Sequence, residues 1–76
     1  MSQQLPSLKA REVVRALLRA GFFIHHQKGS HVRLFHKSDS ERKVTVPYHD
    51  RDVPKGTLYN ILKQAKLSPE EFLNYL

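Results

Sequence analysis

The spacing of apolar residues changes period twice along this chain, and that switch restricts the fold more than any other feature of the sequence. Ala10, Val13, Val14, Leu17 and Leu18 recur at i, i+3, i+4, i+7 and i+8, the spacing of one buried helical face, and Gly21 supplies the stop. From there the pattern shortens to β-branched and aromatic runs, Phe22 to Gln27, His31 to Lys37 and Arg42 to Val46, which read as three strands. Pro47 ends the third because it cannot donate to a ladder, and Tyr48 to Asp52 forms a polar loop before Val53-Pro54. A second helical stripe follows at Leu58, Ile61, Leu62 and Ala65. Ser68-Pro69-Glu70-Glu71 combines an N-cap, a first-turn proline and a capping-box glutamate, which predicts a short terminal helix docking Phe72 and Leu73 on the core. Met1 to Pro6 reads as a loosely held lead-in, with Ser7 as the N-cap of the first helix.

The order helix, three strands, helix implies an α+β domain of two layers, an antiparallel meander with helices on one face of the sheet. At 76 residues the chain is expected to be one domain over 1–76, since a second core could not be buried in what remains. Period-two alternation sends Phe22, Ile24, Val32, Leu34, Val44 and Val46 against the helices. The opposite face then carries Phe23, His25, Gln27, His31, Arg33, Phe35, Lys43 and Thr45, a mixture of cations, imidazoles and aromatics suited to holding phosphates and stacking exposed bases.

Charge points the same way. Thirteen Lys and Arg against seven Asp and Glu give a formal net charge of +6, which favours a polyanionic partner through phosphate contacts and counterion release. Nucleic acid comes first, and an acidic protein is the alternative. With no cysteine there is neither a disulfide framework nor a cysteine metal site. No apolar stretch exceeds four residues, far below the roughly 20 that span a bilayer, and the N-terminus has no signal-peptide core, so a cytoplasmic protein without a membrane partner is expected.

Between the first two strands lies Lys28-Gly29-Ser30-His31, a tight hairpin connection that delivers a histidine directly into the second strand. An imidazole changes protonation near neutral pH, so His31 on a rigid corner could exchange a proton during phosphodiester cleavage, with Lys28 beside it to steady negative charge. RNA would supply its own nucleophile in the ribose hydroxyl. The plainer reading is a surface histidine that ends a hairpin loop. Arg11, Arg15 and Arg19 stand at i, i+4 and i+8, a basic ridge whose like charges cost helix stability; it is either a grip for phosphates or a solvated face. His25, His26, His36 and His49 complete a set of five histidines. Their spacing matches no standard metal motif, although His25 could face His31 across the hairpin, and no metal or cofactor is assigned. Lys55-Gly56-Thr57 opens the second long helix, where it either anchors a backbone phosphate or simply starts a helix; it lacks the glycine spacing of a nucleotide-binding loop.

Gly21-Phe22, Lys28-Gly29-Ser30-His31, Val44-Thr45-Val46-Pro47-Tyr48-His49, Lys55-Gly56-Thr57-Leu58 and Ile61-Leu62-Lys63-Gln64-Ala65, in this order and spacing, resemble the HicA family of toxins. The likeness runs from about Ser7 to Phe72 and implies a fold resembling the double-stranded-RNA-binding domain. It further implies an mRNA-cleaving toxin of a toxin–antitoxin pair, neutralised by a HicB-like antitoxin protein that covers the active-site region. The family's catalytic histidine in its Gly-Ser-His motif maps onto His31, with Gly29 and Ser30 matching its neighbours. Pro47 and His49 fall on a Val-Pro-x-His segment, in which Tyr48 departs from the basic residue often found there.

Together these readings give a metal-independent endoribonuclease with His31 as general acid or base. Lys28, Gly29, Ser30, Arg33 and Lys43 would lie along the RNA, the ridge of Arg11, Arg15 and Arg19 would add phosphate contacts, and Phe23 or Phe35 would stack a base. Two rivals belong to other classes: a non-catalytic module binding double-stranded RNA by shape, and a small interaction domain meeting an acidic protein.

Overall fold

The structure is a computed structural model that describes residues 5–76. Its elements follow the order α1 (Ala10–Arg19), β1 (Phe22–Lys28), β2 (His31–His36), β3 (Lys43–Pro47), α2 (Lys55–Ala65) and α3 (Pro69–Leu73). The strands form one antiparallel sheet in the order β1-β2-β3, with α1 packed on β1 and β3 and α2 on β3. This is the expected two-layer α+β architecture with an open sheet face.

One apolar core fills the space between the layers. From the sheet come Phe22, Val32, Leu34, Val44 and Val46, and from the helices Val13, Leu17, Leu58, Ile61 and Phe72, all at most 1% exposed. No polar or charged side chain is buried among the described residues, so the side chains that hold the centre of the fold are all apolar. Two expected core positions lie elsewhere. Leu18 is 41% exposed because the buried stripe of α1 centres on Ala10, Val13, Val14, Ala16 and Leu17. Ile24 sits opposite Leu34 with helix-side parity yet is 46% exposed: β1 is an edge strand that leaves the cover of α1 after Phe22, its one buried residue.

The lead-in is also tighter than expected where it can be seen; Met1 to Gln4 lie outside the described residues. Leu5 and Leu8 are buried in the core, the Leu5 carbonyl accepts from Lys55 Nζ, and Leu8 O accepts from Val53 N–H at 2.8 Å. The N-cap of α1 is Lys9 rather than Ser7, with the Glu12 carboxylate accepting from the Lys9 N–H at 2.8 Å. Lys9 Nζ also meets Asp52 at 3.1 Å and the Asp50 carbonyl at 3.0 Å, so the loop after β3 is tied to the start of α1. Arg42 closes the other end of the molecule: its Nε donates to the last carbonyl of α2, Ala65 O, at 2.7 Å, and its guanidinium lies 5.3 Å from the Phe22 ring centre.

Candidate functional site

The corner carrying His31 is held from three sides. Gly29 and Ser30 alone connect β1 to β2, and Lys28 pairs with His31. Gly29 takes φ +56° while Ser30 stays at negative φ, the pattern of a II′-type hairpin turn, whose twist matches that of the flanking strands. The Ser30 carbonyl accepts from the Tyr48 N–H at 2.6 Å, and His31 itself pairs with Pro47 on β3. The imidazole is therefore exposed on a backbone fixed by both neighbouring strands.

What surrounds it depends on an irregularity in β1. Ile24 pairs with Leu34 but His26 pairs with Arg33, so His25 is the extra residue of a β-bulge. Beyond the bulge the parity of β1 reverses. Gln27, expected on the open face, lies opposite Val32 on the helix side, whereas His26 and Lys28 join the open face opposite Arg33 and His31. His26, Lys28, Gly29, Ser30, His31, Arg33 and Thr45 thus line one open cleft of about 540 Å³, with no acidic side chain among them. Lys28, Gly29, Ser30, His31 and Arg33 are the sequence candidates that meet here, and Thr45, opposite Arg33, lies on the open face where alternation places it; His26 is the addition. His26 escaped because a bulge leaves no mark on hydrophobic periodicity, and two adjacent histidines were the available hint.

The remaining candidates lie apart from this cleft. Lys43 pairs with Phe35 at the other end of the open face, its Nζ 5.5 Å from the Phe35 ring centre. There His25 stacks on Phe35 at 4.0 Å and 8°, rather than facing His31, and Phe23 meets Phe35 edge-on at 6.3 Å. Arg11, Arg15 and Arg19 are exposed on α1, in the helix layer behind the sheet, where Arg19 Nη1 donates to Tyr75 O at 2.8 Å. His36 is structural: its ring packs edge-on against Phe22 at 4.9 Å, and its Nδ1 accepts from Ser38 N–H at 3.1 Å. His49 lines a separate pocket of about 280 Å³ with Pro47, Arg51, Asp52, Val53, Pro54 and Thr57. Among the described residues no three His, Cys, Asp or Glu side chains are placed to hold one metal ion. No helix among them is long and apolar enough to cross a membrane.

Chemically, the cleft offers an exposed imidazole with the hairpin lysine paired to it and an arginine two residues along the same strand face. Such an arrangement can exchange a proton and neutralise an anion at one place. Comparison with protein families matches residues 10–67 to a family model described as the HicA toxin of bacterial toxin-antitoxin. No curated protein matches the chain.

Proposed function

The chain belongs to the HicA toxin family of bacterial toxin–antitoxin systems, and from that premise we propose that it is an endoribonuclease that cleaves mRNA without a metal. The ribose 2′-oxygen attacks the adjacent phosphorus as its proton is removed, and the bond to the departing 5′-oxygen breaks as that oxygen takes up a proton. His31 is the general base or acid for one of these transfers, and Lys28 and Arg33 neutralise charge on the phosphate as it becomes pentacoordinate. Gly29 and Ser30 shape the turn that presents the imidazole, and Lys43, with the Arg11, Arg15 and Arg19 ridge, extends phosphate contact beyond the cleft. The protein works in the cytoplasm, where mRNA is its substrate and a HicB-like antitoxin its protein partner, seated over the cleft. The observation that carries this reading is the exposure of His31 on a fixed hairpin corner within a cleft free of acidic side chains.

Cleavage of a long mRNA by wild type and His31→Ala, both in excess chelator, tests it. The wild type is expected to cut, and the variant to be slower by about 10²–10⁴-fold, the usual contribution of a positioned acid or base. Equal rates would remove His31 from the chemistry. RNA binding by both proteins without turnover would instead favour a non-catalytic RNA-binding module.

A further inference from the structure

We infer that the far end of the open sheet face is a stacking platform for an unpaired RNA base, and that this protein therefore engages single-stranded rather than duplex RNA. The inference deepens the proposed function and rests on it, since the strand whose phosphate meets His31 is the one that runs on to these rings. Three aromatic side chains gather there around the bulge in β1. His25 lies parallel on Phe35 at 4.0 Å, and Phe23, 39% exposed, stands edge-on beside Phe35 at 6.3 Å. Phe23 and His25 are exposed and Phe35 is half-buried against them, so the cluster lies at the surface of the uncovered face and leaves ring area open to a partner with flat apolar faces of its own.

Charge identifies that partner. The Arg33 guanidinium and Lys43 Nζ lie 5.9 and 5.5 Å from the Phe35 ring centre, so the rings are flanked by cations. The side chains on this face of the three strands, from Phe23 and His25 through His26, Lys28, His31, Arg33 and Phe35 to Lys43 and Thr45, include no carboxylate. A flat π-surface bordered by positive charge suits a nucleobase with its phosphates. In a duplex the base faces are buried in the stack, which leaves only an unpaired strand able to present one. His31, Arg33 and Phe35 alternate along β2 on this face, so the rings lie about 14 Å from His31. One nucleotide cannot reach both, so the stacked base belongs to a neighbour of the cleaved position.

The bulge residue His25 is exposed and outside the core, so it can be replaced without disturbing the fold. In the His31→Ala background, which prevents degradation, fluorescence anisotropy compares a labelled single-stranded RNA, the same strand annealed to its complement, and an abasic version with identical phosphates. The single strand is expected to bind about five- to a hundred-fold more tightly than the other two. Adding His25→Ala should shrink that gap. His25→Trp should restore it, and, because the chain has no tryptophan of its own, quenching of the new indole by the single strand reports stacking directly. Equal affinity for all three nucleic acids, or a bound strand that leaves the indole unquenched, would overturn the platform. His31-dependent cleavage measured alongside separates the two claims: a failed platform with cleavage intact leaves the ribonuclease reading in place, and the reverse result leaves the platform.

Discussion

Gly21 shows how much of this fold turns on single backbone positions. It ends α1 and opens β1 at φ +101°, where side chains are rarely accommodated, and its carbonyl accepts from the Lys37 N–H at 3.0 Å. A Cβ there would stand 2.9 Å from His36 Nε2. That ring cannot simply swing aside, because Ser38 N–H holds its Nδ1 at 3.1 Å and Phe22 packs against it at 4.9 Å. Gly21→Ala is therefore expected to lose about 1–3 kcal/mol of stability, read as a lowered urea midpoint at unchanged slope. Gly29 makes the informative comparison. It shares a positive φ but has open space around it, so Gly29→Ala meets only the backbone preference. A loss at Gly29 equal to that at Gly21 would mean that the contact with His36 contributes nothing.

At the scale of the element, α3 is a five-residue helix that owes its start to its cap. The Ser68 hydroxyl accepts from the Glu71 N–H at 3.1 Å, and the Glu71 carboxylate accepts from the Ser68 N–H at 2.9 Å. The Ser68 backbone N–H, then its hydroxyl, hold the Glu71 carboxyl below its ordinary value of 4.5, with the Arg42 charge adding to them. A carboxylate with a depressed folded-state pKa stabilises the fold above its unfolded value, and that stabilisation is lost as pH falls through the folded one. Unfolding followed from neutral pH to about pH 3 should accordingly show an acid-side loss that Glu71→Gln reduces, while Ser68→Ala should cost about 0.5–2 kcal/mol at neutral pH. An acid limb unchanged in Glu71→Gln would assign the loss to other carboxylates. This cap was legible in Ser68-Pro69-Glu70-Glu71 because capping is local chemistry at fixed spacing. Both long helices were legible for a similar reason, apart from Leu18, since a 3.6-residue stripe survives without knowledge of its partner. The His25 bulge was not, because it is set by the pairing of β1 with β2 and not by local spacing, and one extra residue there puts Gln27 on the helix side and His26 in the cleft. The hairpin corner of the candidate site could be read from Gly29 and its neighbours, whereas the cleft wall could not.

Across the whole molecule the six cations proposed to meet RNA are divided between two surfaces with the core between them. The cleft and platform cations Lys28, Arg33 and Lys43 lie on the open sheet face, while Arg11, Arg15 and Arg19 ride on α1 in the other layer. A single strand laid along the sheet reaches the first group directly, but it must wrap around an edge to reach the second. The dependence of binding on salt distinguishes these paths, because each phosphate neutralised on a single strand steepens the slope of log K against log salt by about 0.7. Measured with a short single-stranded RNA in the His31→Ala background, Arg33→Gln is expected to flatten that slope by about 0.7, the loss of one contact. Arg15→Gln should leave the slope unchanged with the same short strand and flatten it only when the RNA is long enough to pass from one layer to the other. A slope that falls equally in both variants on the short strand would show that the α1 ridge, and not the sheet alone, is part of the primary binding path.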